Sequence, residues 1–181
     1  VKLADNMTSL ADDADGVPQM IDAPCMFEDG GIHKANGRYY YTYCSNFSGD
    51  HSAIAGYPGY GIICCMVSDD PMGPYTYVGE ILQNPSYYFN VGGNNHHALF
   101  EFNGTTYITY HAQTLGKALG IEKGYRSTHI NEVEYYEDGS IKPIDADMKG
   151  VSQLKAFSPY SEVAGTTIGW NSGIAPRDLG D

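Results

Sequence analysis

One carboxylate in the sequence has the surroundings of a proton donor. Glu28 follows the apolar residues Met26 and Phe27. An apolar setting disfavours the charged form of a carboxyl group, which raises its pKa and suits it to protonate a leaving oxygen. Cleavage of a glycosidic bond needs such an acid. The alternatives are that Glu28 is an ordinary acidic turn residue, or that Asp22 is the donor rather than a simple turn cap.

Two adjacent imidazoles form a second group that could do chemistry. His96 and His97 end the run Asn94-Asn95-His96-His97. In a strand their side chains would point to opposite faces, so at most one could face a central channel. Such a histidine could bind a cation or position a carboxylate, although a structural role is the more ordinary one.

Arg126 begins an otherwise uncharged segment and could pair with a carboxylate.

An internal repeat shows how these residues are positioned. The segment 36–44, which begins Asn36-Gly37, resembles the segment 103–111, which begins Asn103-Gly104, at an offset of 67 residues. Asn-Gly is a strong signal for a two-residue β-hairpin turn, and strand-like residues follow it in both copies. Each copy therefore predicts a strand, a tight turn and a second strand.

Further strand-like segments follow each copy in the same order. The third strands are predicted at 61–68 and 124–130, and the fourth at 74–78 and within 134–141. Four antiparallel strands per repeat are typical of a propeller blade. The sequence therefore predicts an all-β chain that forms about two to three blades of a β-propeller.

The offset also predicts which residues occupy equivalent places. In each blade the strand before the Asn-Gly turn should lie nearest the axis. The offset aligns Glu28 with Asn95 and Asp29 with His96. Both groups should therefore lie near the central channel, where propellers keep their ligands.

Composition narrows the class of partner. The formal net charge is −12, which argues against nucleic acid and against anionic membranes, because both need a basic surface. No apolar run approaches the length of about 20 residues that spans a membrane. The four cysteines have no metal-site spacing, so buried free thiols are predicted, with one disulfide as the alternative.

Several motifs together resemble glycoside hydrolase family 43. Phe27-Glu28 followed by Gly37-Arg38-Tyr39-Tyr40 is similar to the family's general-acid strand, where the Glu stands nine residues before the Gly. The segment 68–75 resembles its Ser-Asp-x-Pro-x-Gly-Pro-aromatic turn, 94–102 its histidine strand near an axial metal, and 125–141 its last blade. The resemblance covers about residues 1–144.

The resemblance implies a five-bladed propeller that hydrolyses glycosides with inversion through three acidic residues. Glu28 corresponds to the general acid, His96 to a histidine near a calcium ion or its water shell, and Arg126 to an arginine that approaches the active site. Asn95 and Phe47 are assigned to substrate binding. The implied partners are plant cell-wall arabinoxylan and xylo-oligosaccharides, and the implied location is secreted or periplasmic.

The sequence differs from the family pattern in its catalytic carboxylates. No segment matches the catalytic base or the pKa-modulating aspartate, which the family carries on upstream blades. We expect those blades on the same gene or on another chain. Residues 1–158 are assigned to the propeller, and 159–181 to a linker and the first strand of a β-sandwich resembling a family 6 carbohydrate-binding module.

Three hypotheses follow from the sequence. The first is removal of terminal α-L-arabinofuranosyl groups from arabinoxylan, with β-xylosidase activity as the alternative. The second is a non-catalytic or truncated carbohydrate-binding propeller. The third is assembly by complementation, because an incomplete ring exposes strand edges that can pair with another chain.

Overall fold

The computed structural model describes residues 1–11, 20–52, 56, 58–93, 95–121, 126–152 and 160. The chain divides into two compact units, Val1–Val151 and Ser152–Asp181. The predicted boundary between residues 158 and 159 and the predicted module strand at 163–174 lie outside the described residues.

The described residues form seven strands and two short helices. The strands are β1 (Met26–Ala35), β2 (Arg38–Ser45), β3 (Ile63–Ser68), β4 (Thr76–Leu82), β5 (His97–Phe102), β6 (Thr105–Ala112) and β7 (Ser127–Glu132), and the helices are α1 (Pro85–Phe89) and α2 (Thr114–Ala118). This confirms the all-β prediction. None of the helices in this described portion is both long and apolar enough to span a membrane.

The strands form two antiparallel sheets that correspond to the two predicted repeats. The first has the order β1-β2-β3-β4 and the second β5-β6-β7. In both Asn-Gly turns both residues have positive φ, at 51° and 74° for Asn36 and Gly37, and 50° and 78° for Asn103 and Gly104. Two consecutive positive φ values are the requirement of a type I′ turn, so both predicted hairpins are confirmed.

The hairpin predicted through Asp138-Gly139 in the second repeat is present, but among the described residues it does not add a fourth strand to the second sheet. The segment after β7 instead forms a small hairpin of its own. It has a bridge between Tyr135 and Ile141, and the N–H groups of Tyr136 and Lys142 donate to the carbonyls of Ser140 and Glu134. It packs on the first repeat instead: the hydroxyl of Tyr40 donates to the carbonyl of Gly139, and the N–H of Ile144 donates to the carbonyl of Ile81. Contacts between the sheets therefore replace a ladder with β7.

Side chains along β2 and β3 alternate between two apolar clusters, because successive residues of a strand point to opposite faces. The cluster facing the second sheet includes Tyr40, Cys44, Ile63, Cys65 and Val67. The opposite cluster includes Tyr41, Tyr43, Cys64 and Met66. The first cluster also receives side chains from β4 and β6, so it lies between the two sheets.

The cysteines follow this alternation. All four are free thiols; three of them are buried and Cys25 is half-buried. Cys64 and Cys65 belong to opposite clusters, as predicted for neighbours in a strand. Burial raises the pKa of Cys44, Cys64 and Cys65 to about 12. These thiols are packing groups of the core.

Candidate active site

The strand that carries Glu28 is irregular at that residue. Glu28 pairs with Cys44, and the register shifts on both sides of this pair, toward Met26 and toward Gly31. β1 contains one more residue than β2 in each interval, which is the mark of a β-bulge. Asp29 has a left-handed backbone with φ of 67°. The two irregularities set the direction in which the Glu28 carboxyl group leaves the sheet.

Glu28 meets the second repeat through His96. Nε2 of His96 lies 2.8 Å from Oε1 of Glu28, a close contact between an imidazole and a carboxyl group without the alignment of a hydrogen bond. The two side chains keep 35% and 30% of their surface exposed, so the pair remains open to a ligand. The His96 ring also packs edge-on against His111 at 5.6 Å between ring centroids.

The next residue on each strand makes a second contact between carboxylate and imidazole. Asp29 Oδ2 accepts hydrogen bonds from the backbone N–H of His97 and from its ring Nδ1, the latter at 2.7 Å. The other ring nitrogen of His97 lies 2.7 Å from Oγ1 of Thr42 on β2. The His97 side chain is 1% exposed and Thr42 is 2% exposed. A buried chain of hydrogen bonds thus runs from β1 through His97 to β2.

Asp29 is ionised more readily than an ordinary aspartate. Burial by itself raises its pKa, but the hydrogen bonds from His97 and the charges of His97 and His96 outweigh that effect and leave the pKa lowered. The carboxylate form therefore accepts both His97 donors across the neutral range. Asp29 acts as a fixed acceptor in this site, whereas the Glu28 carboxyl group stays accessible.

The predicted equivalence of the two repeats is shifted by one residue. The hairpins superpose at the offset of 67, because Gly31 pairs with Thr42 and Ala98 pairs with Thr109. Glu28, however, pairs with Cys44, whose equivalent His111 donates its N–H to the carbonyl of His96. The structural counterpart of Glu28 is therefore His96. The bulge after Glu28 causes the shift, since an inserted residue moves everything before it by one position.

The assignment of Asn95 to substrate binding stays a prediction, and the structure gives this residue a buried position. Asn95 is 0% exposed, and its Nδ2 donates to the carbonyls of Gly61 and Gln83. These bonds attach the start of the second repeat to loops of the first. In the described part of the chain Asn95 thus makes structural hydrogen bonds.

Phe47 and Arg126 are both exposed, and their roles in substrate binding stay predictions. Phe47 packs edge-to-face on Phe27, the residue before Glu28, at 5.8 Å between centroids. The residue next to Glu28 in the sequence therefore belongs to an exposed aromatic pair. Arg126 lies directly before β7 and is exposed. Asp22, the second candidate donor, is also exposed and precedes β1.

The residues around His96 do not form a cation cage. Within the described ranges, no group of three or more His, Cys, Asp or Glu side chains is arranged to hold a metal ion. Calcium takes six to eight oxygen ligands, and an imidazole nitrogen is not among its preferred donors. The described residues therefore do not fit a directly bound calcium ion, and the contribution of a calcium water shell at His96 stays a prediction.

Sequence reasoning missed the contact of Asp29 and His97 with Thr42. A signal was present in β2: Thr42 is a polar residue at an alternating position whose neighbours on that face, Tyr40 and Cys44, are apolar. A buried hydroxyl at such a position needs a hydrogen-bond partner. Its partner comes from 55 residues away, so the local pattern could not identify it.

The fold and this site define the class of protein: two adjoining blades of a β-propeller whose inner strands bring carboxyl groups against imidazoles. Solved propellers support that class. The chain superposes on the crystal structure of a glycoside hydrolase family 43 arabinoxylan arabinofuranohydrolase from Bacillus subtilis in complex with cellotetraose, with a TM-score of 0.76 and 50% identity, covering 86% of this chain and 31% of that one. A family 43 β-xylosidase/α-arabinofuranosidase from a compost metagenome, in complex with xylotriose and in a calcium-free form, matches at a TM-score of 0.51 and 32% identity over 66% of this chain and 30% of that one.

Sequence comparison gives the same result. No family model matches the chain. An arabinoxylan arabinofuranohydrolase of Paenibacillus polymyxa is 51% identical over 175 residues, which is 96% of this chain and 26% of the relative. That of Bacillus subtilis (strain 168) is 49% identical over 96% of this chain and 33% of the relative. A β-xylosidase of Xylanibacter ruminicola is 32% identical over 73% of this chain and 35% of the relative.

The chain belongs to glycoside hydrolase family 43. It spans about a quarter to a third of the length of the curated arabinofuranohydrolases it matches.

Proposed function

We propose that the full-length protein hydrolyses terminal α-L-arabinofuranosyl groups from arabinoxylan or arabino-oligosaccharides with inversion of configuration. The observation that carries the proposal is the placement of Glu28 between two bulges on an inner strand, open to solvent and facing His96. Relatives about half identical to this chain are arabinoxylan arabinofuranohydrolases.

Glu28 is proposed as the general acid. A carboxyl group that keeps part of its surface exposed can approach the glycosidic oxygen and deliver a proton as the bond breaks. Phe27 directly precedes Glu28 in the chain, and its exposed ring packs on that of Phe47; we propose this pair as an apolar surface for a sugar ring. Arg126 is proposed as a further substrate contact.

The remaining catalytic groups are proposed to lie on other blades. An inverting hydrolase needs a second carboxylate that activates water on the opposite side of the sugar ring. Asp29 does not supply it, because its Oδ2 already accepts two hydrogen bonds from His97. The base and the modulating aspartate therefore come from the blades that accompany this chain, on the same gene or on another chain.

β-Xylosidase activity is the second candidate. The β-xylosidase of Xylanibacter ruminicola and the dual-specificity enzyme from the compost metagenome support it. Arabinofuranose and xylose are pentoses of similar size, so the two activities differ in loops around the pocket and not in the acid.

One experiment separates these candidates. The full-length protein is incubated with arabinoxylan, with an aryl α-L-arabinofuranoside and with an aryl β-D-xyloside, and the released sugars are measured by chromatography and the anomer by NMR. Arabinose released with inversion supports the proposal, whereas preferential xylose release favours the alternative. Binding to arabinoxylan without release of either sugar would identify a non-catalytic carbohydrate-binding propeller.

Two further proposals concern the surroundings of the protein. Arabinoxylan is an extracellular polymer, so we place the full-length protein in the secreted or periplasmic fraction, which cell fractionation tests. A calcium ion whose water shell contacts His96 is proposed as a structural group; incubation with EDTA followed by a melting curve with and without added calcium tests it. No step of the reaction is assigned to that ion.

A further inference from the structure

We propose that Asp29, His97 and Thr42 act as a clamp between the two blades that positions Glu28 for proton transfer. This inference rests on the proposed role of Glu28 as the general acid. It assigns a function to three residues that do not themselves touch the substrate, and they are therefore positioning residues.

The backbone at Glu28 needs an external support. Asp29 adopts a left-handed conformation with φ of 67°, a region that most residues with a side chain avoid and that Asp and Asn tolerate better than others. The register shifts on both sides of Glu28 leave this part of β1 with an interrupted ladder to β2. A segment with an unusual backbone and interrupted pairing keeps one geometry where surrounding contacts fix it.

The clamp supplies those contacts from two directions. Asp29 is attached to His97 at the start of β5 by a backbone and a ring hydrogen bond, and His97 is attached to Thr42 on β2. β2 therefore holds the bulged strand indirectly, through a residue of the second blade. This series of hydrogen bonds connects the bulge to both sheets and fixes its position relative to them.

The hydrogen bonds assign one proton arrangement to the neutral ring. The ionised Asp29 carboxylate can only accept, so Nδ1 of His97 carries the hydrogen. Nε2 of the neutral ring then accepts from the hydroxyl of Thr42. Every polar atom of the nearly fully buried ring is thus satisfied, which makes the arrangement costly to disturb.

The clamp acts on catalysis because it holds the peptide unit next to the acid. A movement of the bulge rotates the Glu28 side chain, and a misplacement of about 1 Å can cost up to about 100-fold in rate. Proton donation matters most when the leaving group is a poor one. A displaced acid should therefore slow the natural substrate far more than an aryl glycoside with an activated leaving group.

The test uses the full-length protein and the variant Thr42→Val, which removes one hydroxyl and preserves side-chain shape. We expect the kcat on arabinoxylan to fall about tenfold, with KM changed less than about twofold, and the kcat on a dinitrophenyl arabinofuranoside to fall less than about twofold. Thr42→Ser keeps the hydroxyl and should restore most of the rate on arabinoxylan. Asp29→Asn, which tolerates the left-handed backbone, should reproduce the effect of Thr42→Val.

The chain offers a matched control. In the second blade Oγ1 of Thr114 lies 2.9 Å from Nε2 of His129, whose ring packs between Phe89 and Tyr110. Thr114→Val therefore removes a similar contact between a hydroxyl and an imidazole away from Glu28. It should lower the melting temperature by an amount comparable to that of Thr42→Val without a difference between the two substrates.

Equal losses on both substrates in Thr42→Val, or no loss at all, would overturn the positioning role. If Thr42→Val is too unstable to assay, Asp29→Asn carries the test instead, and equal or absent losses in that variant count against the proposal in the same way; Thr42→Ser remains the variant expected to keep the rate. The proposed function fails separately: if Glu28→Gln retains turnover on arabinoxylan, the acid is elsewhere, whatever the clamp variants do.

Discussion

The two hairpins of this chain have the same turn and register, and they differ at the strand that carries the candidate acid. The hairpin of β1 and β2 and that of β5 and β6 have the same turn type, and their registers superpose at the offset of 67 residues. β5 is regularly paired from His97 to its end, whereas β1 is interrupted on both sides of Glu28. The same local frame thus holds a regular strand in one blade and a distorted one in the other.

The difference shows how a repeated element acquires a site. The regular β5 segment carries the imidazoles of His96 and His97. The distorted β1 carries the carboxyl groups of Glu28 and Asp29, each in contact with one of these imidazoles. The bulge shifts the first strand by one residue, which brings Glu28 opposite His96 and Asp29 opposite His97. An undistorted copy of the hairpin would place Glu28 at the level of the buried Asn95.

The largest expected effect comes from the acid itself. Glu28→Gln removes the transferable proton and keeps the shape of the side chain, so kcat on arabinoxylan should fall about 10²- to 10⁴-fold while sugar binding is retained. Turnover and binding of the full-length variant are measured by arabinose release and calorimetry. Glu101→Gln, which alters an exposed glutamate of β5, is the control and should leave both unchanged. Unchanged turnover in Glu28→Gln would direct attention to Asp22.

Disturbing the bulge should have the next largest effect. A Cβ atom on Gly30 would collide with the hydroxyl and ring of Tyr41, a buried side chain stacked on Tyr43. Gly30→Ala should therefore destabilise the protein by about 1–3 kcal/mol and reduce activity, because Tyr41 or the bulge must move. The adjacent Gly31 has no atom within 4 Å of the equivalent position. Gly31→Ala is the matched control and should change the melting temperature little; similar losses in both variants would contradict the steric explanation.

Substitutions in the two Asn-Gly turns should have smaller effects, and the effects should be equal in the two hairpins. Gly37 and Gly104 have φ of 74° and 78°, and a Cβ atom at either position would meet nothing within 4 Å. Alanine should therefore cost only the backbone strain, about 1 kcal/mol at each site. Melting curves of Gly37→Ala and Gly104→Ala should show nearly equal shifts. A clearly larger shift at one turn would mean that the two hairpins are not equivalent in the folded protein.

The smallest functional effect is expected at the thiols. Burial raises the pKa of Cys44, Cys64 and Cys65 to about 12, so at pH 8 these thiols are almost entirely protonated and unreactive. Cys25, which is only half-buried, should be alkylated first, although burial raises its pKa as well. Peptide mapping after brief alkylation of the native protein measures the order. Cys25→Ser should abolish the early label at that position and leave activity intact; early labelling of Cys65 would show that the core between the sheets opens.

Much of the fold could be predicted because its signals are local. The Asn-Gly turns determine two positive φ values in adjacent residues, and the aromatic and β-branched residues that follow favour strands on both sides. The candidate acid could also be found, because its apolar neighbours and its distance from Gly37 are written in one short segment. The last predicted strand of the second repeat does not join its sheet, because Tyr135 packs on Tyr40 of β2 and Ile141 lies in the core cluster between the sheets.

The sequence by itself determined the hairpins, the alternation of β2 and β3, and the candidacy of Glu28 and His96. Only the tertiary structure decided how those residues meet. A bulge depends on how two strands pair along their whole length. No local pattern therefore predicted the one-residue shift that places Glu28 opposite His96. The burial of Asn95 and the contact of Asp29 and His97 with Thr42 likewise depend on the distance between two blades. The distorted strand that distinguishes the first hairpin from the second is thus a property of the packed protein, since both carry the same turn and the same register beyond Gly31.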